Sequence, residues 1–305
     1  MTSPKQPMPK QSITAQPTTI RAWVNFAETE FSRAGLFYGH GTANATDEAV
    51  YLISHALKTD FGLTGFDPEE TLNAEDSKRI HELITKRVST KKPAAYLVNE
   101  AWFCGLPFYV DERVLVPRSP IAELIHDEFQ PWIPRDKIKS ILEIGTGSGC
   151  IALSCAYYLE DTHVTAADID DGAIEVANKN LQRMKLQDRV SVIKSDVFDN
   201  LADKKYDIIV SNPPYVGQQE YDGLPQEYKQ EPVIGLTSGE DGLDCVRIIL
   251  SQAARHLNPH GILIVEVGNS QDVLQKAFPQ LPFMWLEFER GGEGVFLLDR
   301  KHLSQ

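Results

Sequence analysis

The stretch Ile141-Leu142-Glu143-Ile144-Gly145-Thr146-Gly147-Ser148-Gly149-Cys150 decides how the rest of the chain reads. A short apolar run leads directly into a glycine-rich turn and then a second apolar run, the order expected of a strand, a loop and a helix start. Glycines in such a turn let a ligand come close to the backbone. Their spacing is G-x-G-x-G with Glu143 upstream. A pyrophosphate-binding dinucleotide turn needs G-x-G-x-x-G and would place its third glycine at position 150, which is Cys150, so that ligand class is disfavoured.

Downstream, apolar runs recur at His163–Ala167, Val190–Ile193, Ile208–Val210, Ile262–Val267, Met284–Phe288 and Val295–Leu298. Helical patterns fall between them, including Ala173–Met184 and Leu243–Leu257. With Ile141–Ile144 they predict an α/β unit: a seven-stranded, mostly parallel sheet with crossover helices on both faces. Only Glu289–Gly294, with Gly291-Gly292, separates the last two runs, which predicts an antiparallel hairpin at the sheet edge. Asp168, followed by Ile169, closes the second strand, and Ser195-Asp196-Val197-Phe198 closes the third. Ligands of open α/β sheets bind at this carboxyl edge. Asp168 can accept hydrogen bonds from both ribose hydroxyls of a nucleoside, Asp196 can accept from an adenine amine, and Val197 can pack on the ring.

The fourth strand runs through Tyr206-Asp207-Ile208-Ile209-Val210-Ser211 into Asn212-Pro213-Pro214-Tyr215, so this tetrapeptide emerges at the same edge. Its composition suits methylation of a conjugated nitrogen. Such a nitrogen has a delocalised lone pair, so a site must hold the NH2 and favour a pyramidal geometry. The Asn212 side-chain oxygen and the Pro213 carbonyl are two acceptors for the two NH2 protons. Proline removes local donors and locks φ, while Tyr215 offers an aromatic wall.

Ahead of the sheet, residues 1–17 are polar and rich in Pro and Gln and read as a disordered tail. Helical spacing of Ile20, Trp23, Phe26, Phe31 and Ala34, then of Val50, Ile53 and Leu57, then of Ile80, Leu83 and Ile84, predicts a small helical bundle over residues 18–95. Residues 96–117 switch to extended chemistry around Gly105-Leu106-Pro107 and read as a β-hairpin linker to a domain spanning 118–305. The stretch from Val216 to Glu231 reads as a lid or docking loop or, equally, as a disordered connection.

Lys and Arg total 30 against 43 Asp and Glu in 305 residues, a net charge of -13, which disfavours broad phosphate-backbone binding and favours a basic protein partner. The 4 cysteines form no metal or redox motif, and the chain opens with neither a signal peptide nor a long apolar run, so a reducing, cytoplasmic setting is expected. His256 and His260 straddle Asn258-Pro259 and are not expected to hold a metal.

The glycine turn with Glu143, Asp168 and Asp196 resembles the class I methyltransferases. Asn212-Pro213-Pro214-Tyr215 resembles the tetrapeptide of adenine, cytosine and guanine amino-methyltransferases as well as that of glutamine methyltransferases, and does not by itself choose among them. Leu115-Val116-Pro117-Arg118, Glu231-Pro232 and Gly239-Glu240-Asp241-Gly242-Leu243 extend the likeness to the protein glutamine N5-methyltransferase family over residues 18–300. The branch acting on release factors follows Pro-Arg with Pro-Asp-Thr-Glu. This chain has Ser119-Pro120-Ile121-Ala122-Glu123 and carries Phe37-Tyr38-Gly39-His40-Gly41-Thr42, and so is similar to the branch that methylates large-subunit ribosomal protein number 3, free or in an assembling ribosome.

The resemblance implies S-adenosyl-L-methionine as cofactor. It assigns Glu143, Gly145, Thr146, Gly147, Ser148, Gly149, Asp168, Ile169, Asp196, Val197 and Asn212 to the cofactor side. Asn212, Pro213, Pro214 and Tyr215 fall to the substrate amide, with Phe103 and Arg118 on the pocket rim. A release factor glutamine methyltransferase, an RNA or DNA amino-methyltransferase and a non-enzymatic assembly factor stay open as rivals.

Overall fold

The computed structural model describes residues 17–59, 63, 65–201 and 203–303, and they fall into two compact units. Apart from Pro17, the tail expected over residues 1–17 lies outside the described residues.

The helical unit contains α1 (Ile20–Arg33), α2 (Ala45–Leu57) and α3 (Ala74–Thr90). Their starts are side-chain capped: Ala22 N donates to Thr19 Oγ1, Asp47 N to Asn44 Oδ1 and Asp76 N to Asn73 Oδ1. Trp23, Ala27 and Phe31 of α1 are buried with Leu52 and Ile53 of α2 and Ile80 and Ile84 of α3. Among these apolar groups lies one buried ion pair, in which Arg87 Nε donates to Glu48 Oε1 at 2.7 Å.

The second unit takes Phe37–Ala43 and everything from Thr90 onward. The boundary expected after residue 95 therefore falls earlier. The 37–43 loop departs from the bundle because Phe37 and His40 pack their rings on Tyr228. Residues 96–98, expected to be extended, belong instead to the helix α4 (Ala94–Val98), which lies between Pro93, which starts it, and Asn99, whose left-handed backbone ends it. The hairpin itself is short, β1 (Ala101–Phe103) pairing antiparallel with β2 (Leu106–Phe108) through Gly105 at φ +72°.

Beyond α5 (Ile121–His126) the chain alternates β3 (Ser140–Ile144), α6 (Cys150–Tyr158), β4 (His163–Asp168), α7 (Asp171–Met184), β5 (Val190–Lys194) and β6 (Tyr206–Ser211). After α8 (Gln218–Gly223), α9 (Val233–Leu236) and α10 (Asp244–His256) come β7 (Leu257–Glu266), α11 (Gln271–Ala277), β8 (Met284–Trp285) and β9 (Val295–Asp299). The 7-stranded sheet has the order β5-β4-β3-β6-β7-β9-β8, parallel except for β9, which pairs antiparallel with both β7 and β8. The predicted α/β sheet and its edge hairpin are thus borne out. Alternate residues of each central strand feed two cores: Ile141, Ile208 and Ile264 face one with α6, and Leu142, Ile209 and Val265 face the other with α10. Burial on both faces explains why these strands read as continuous apolar runs. Among the described residues, no helix is long and apolar enough to cross a membrane.

Glu48→Ala should remove the Glu48 carboxylate from the buried Arg87 guanidinium and destabilise the helical unit, by at most about 3–5 kcal/mol. Calorimetry should show a lowered unfolding transition, and an unchanged one would contradict the pairing.

Candidate active site

Sheet order brings β3 and β6 together as parallel neighbours, with Ile144 opposite Ser211, at the point where the winding direction reverses. The two turns that follow therefore leave the same edge side by side. Ser211 Oγ donates to Ile144 O at 2.7 Å and ties the strand ends together. Beside them opens a cavity of about 550 Å³ lined from both turns.

On the glycine side, Gly145, Gly147 and Gly149 have φ of +71°, +53° and +80°, a conformation that side chains disfavour. Gly145 N and Thr146 N both donate to Ala167 O, fastening the turn to β4. Glu143 is buried, and its Oε2 accepts from Thr146 Oγ1 and from Ala152 N, so its carboxyl organises the turn from within. Burial lifts Glu143 to about 8, against those two hydrogen bonds. Asp168 accepts from Gly147 N at 2.8 Å and Asp170 N at 3.0 Å, yet lines the cavity with lone pairs to spare. Its carboxyl is also raised by burial. Ile169, Asp196 and Val197 complete this wall. Val197 is a β-branched residue at φ +44°, a strained backbone at the cavity lining.

Two expected residues lie elsewhere. Gly149 caps α6 and does not line the cavity. A Cβ there would sit 3.2 Å from Leu153 Cδ1 and 3.4 Å from Ala177 Cβ, so the glycine serves helix packing. Phe103 points inward from β1 and is only 5% exposed, buried in the core with Ile121 and Ile125, because the alternation of the hairpin turns it away from the pocket rim.

On the other wall, Asn212, Pro213, Pro214 and Tyr215 all line the cavity. Tyr215 is gripped from several sides. Its hydroxyl donates to Glu266 Oε1 at 3.2 Å, and Ser119 Oγ donates to Glu266 Oε2 at 2.5 Å. A Cβ on Gly242 would overlap the Tyr215 carbonyl oxygen, and one on Gly268 would lie 2.7 Å from the ring. The stretch after Tyr215 is ordered: Val216 bridges to Thr237, pinning the base of a loop built from α8 and α9. Arg118 also lines the cavity and donates to Glu231 from Nη1 at 2.6 Å and from Nη2 at 2.8 Å. Burial alone would raise Glu231, but that guanidinium holds its carboxyl down at about 2.

Residues 129–227 match the family model described as methyltransferase small domain. The ribosomal protein uL3 glutamine methyltransferase of Francisella tularensis is 44% identical over 290 residues, covering 95% of this chain and 92% of that protein. Its counterpart in Neisseria gonorrhoeae is 46% identical over 287 residues, covering 94% and 96%. The chain belongs to the ribosomal protein uL3 glutamine methyltransferase family.

Among solved structures, the catalytic domain of hMettl16 in complex with a MAT2A 3'UTR hairpin matches with a TM-score of 0.50 at 18% identity, over 75% of this chain and 83% of that one. That likeness speaks for the fold, which is that of the class I methyltransferases. The chain is accordingly an enzyme that takes its methyl from S-adenosylmethionine. The open glycine backbone, the acceptor capacity of Asp168 and the apolar Val197 fit a nucleoside-bearing donor.

Glu266, Gly268 and Tyr228 line or back the cavity and were not singled out in the sequence. Glu266 carried a usable signal, since it is an acid ending an apolar strand run, as Asp168 does.

Glu143 supplies a pH test. Below its unfolded value near 4.5 both states hold the proton, and as pH rises through about 8 the unfolded chain alone has released it, so this contribution to stability is lost across that window. Glu143→Gln should flatten the decline. Melting curves of the two proteins that stay parallel from acid to mildly alkaline pH would contradict the protonated carboxyl.

Proposed function

We propose that this chain transfers the methyl group of S-adenosylmethionine to the side-chain amide nitrogen (N5) of a glutamine in ribosomal protein uL3. The observation that carries the reading is the juxtaposition of the two turns: a Cβ on Gly145 would lie 3.8 Å from Asn212 O and 3.9 Å from Pro213 Cα. A donor seated on the glycine turn thus meets an acceptor held by the tetrapeptide with no chain to move between them. The relatives named for the same reaction support the choice of glutamine and of uL3. A ribosomal substrate puts this work in the cytoplasm, and the net charge of -13 suits a basic partner.

When bound, S-adenosylmethionine supplies a methyl carbon on a positively charged sulfur. Gly145, Thr146, Gly147 and Ser148 would hold it along the turn, with Asp168 and Ile169 at its ribose and Asp196 and Val197 at its base. The rest of the work falls to the substrate wall. The Asn212 side-chain oxygen and the Pro213 carbonyl accept the two N–H groups of the glutamine amide, which disfavours the planar, conjugated form and aims the lone pair across the cavity. Pro213 and Pro214 bring no N–H of their own, so the acceptors stay free. Tyr215 walls the flat amide, and its phenol is kept neutral by burial beside Glu266. No strong base is needed, because the nitrogen turns cationic on bonding carbon and then sheds its proton readily.

Asn212→Ala should lower turnover by about a hundredfold with cofactor affinity nearly intact, whereas Asp168→Ala should weaken cofactor binding first. The check is transfer of labelled methyl to undermethylated uL3, located by mass spectrometry, alongside calorimetric titration of the cofactor. Label on nucleic acid and never on glutamine would refute the reading.

A further inference from the structure

One wall of the cavity is braced from outside the tetrapeptide. Tyr228, a lining residue in the turn Tyr228–Gln230, is packed between Arg118, whose Cζ lies 5.3 Å from its ring centre, and two residues of the 37–43 loop. The His40 ring is 4.5 Å from that of Tyr228 and the Phe37 ring 5.6 Å. Phe37 N donates to Glu227 Oε1 at 3.0 Å, tying the loop to the residue before Tyr228. Gly39 leaves no space for a side chain, since a Cβ would lie 2.9 Å from Phe37 Cε1 and 3.1 Å from the Tyr228 hydroxyl.

His40 is the unusual member of this group. It is 5% exposed, neither ring nitrogen has a hydrogen-bond partner among the described residues, and its Nε2 sits 3.6 Å from Glu231 Oε2, the carboxylate that also grips Arg118. A buried imidazole whose nitrogens make no hydrogen bond and whose one polar contact is a long one to a carboxylate is rare in native folds and calls for a reason beyond stability. His40 does not line the cavity, so it acts only through Tyr228 and Glu231. Phe37, 40% exposed, presents apolar surface against Tyr228 from outside the lining, and Ile234, 52% exposed, presents apolar surface at the cavity lining itself.

We propose that the loop Phe37–Gly41, acting through Tyr228, is the specificity element of the substrate site, with His40 as its positioning residue. The amide chemistry of Asn212–Tyr215 is the same for any glutamine, so selection must come from the residues beside it. The Phe37–Tyr228 wall and Ile234 fit an extended polypeptide segment with an apolar side chain next to the target glutamine. This rests on the glutamine-methylating reading above.

Steady-state transfer to purified, undermethylated uL3 tests it in the full chain. His40→Ala and Phe37→Ala should each raise KM for uL3 by about tenfold, change kcat by less than about threefold and leave cofactor Kd unaltered. His40→Phe, which keeps a ring on Tyr228, should recover most of the KM. Phe37 is partly exposed, so its variant keeps the test open should His40→Ala not fold. Folded variants with wild-type KM, or a fall in kcat at constant KM, would overturn the specificity role alone. A wild type that binds cofactor and never labels glutamine would overturn the underlying reading, and this inference with it.

Discussion

The parallel pairing of β3 with β6 is the constraint on which the site depends. With Ile144 opposite Ser211, the strands end level, and the chain must turn out of each into the same space. β4 lies on the other side of β3, so the crossovers diverge there and leave a crevice that neither covers. Gly145 faces Asn212 O at ordinary contact distance, and its φ of +71° rather than crowding is what demands glycine. A one-residue slip would send every side chain of β6 to the opposite face and turn Ile209 and Ile208 toward the wrong cores. Register is therefore held by the two cores, and the site inherits its geometry from them.

Two buried glutamates in this unit show how the surroundings set protonation. Glu143 meets a hydroxyl and one amide, with no cation near, and burial pushes it up to about 8. Glu231 is comparably buried but accepts a two-pronged guanidinium from Arg118 and the Val116 amide, and is held at about 2. A neutral acid suits the first position, where a charge beneath the glycine turn would oppose the carboxylate of Asp168. At the second, an ionised carboxylate fixes Arg118, which in turn lies over Tyr228.

The parts of this molecule that were legible in the sequence are those whose cause is local. A glycine turn after an apolar run, an acid at a strand end and Asn-Pro-Pro-Tyr after another run each declare themselves within about ten residues. Contacts between distant segments do not. Nothing near Gly268 announces that Tyr215 needs the room, and nothing near His40 announces Tyr228. Phe103 misled because a hairpin aromatic can face either way, and the packing partner that decides, α5, comes later in the chain. Gly149 misled because three glycines in a turn look alike, although one of them answers to Ala177 on the following helix.

Depth separates the tasks around the cavity. The deepest layer is strand-borne: Asn212 and Glu266 follow or end buried strands, and Tyr215 is clamped between glycines and the Glu266 carboxyl, so its ring has little freedom. Rigid placement of this kind is what orientation-dependent catalysis on a poor nucleophile requires. The outer layer is loop-borne, built from residues 37–43 and from the segment pinned at Val216 and Thr237. Loops tolerate change that strands do not. A fold organised this way keeps its amide chemistry fixed while the surface that meets a protein substrate is free to differ. That accounts for a substrate wall assembled from segments far from the tetrapeptide in sequence.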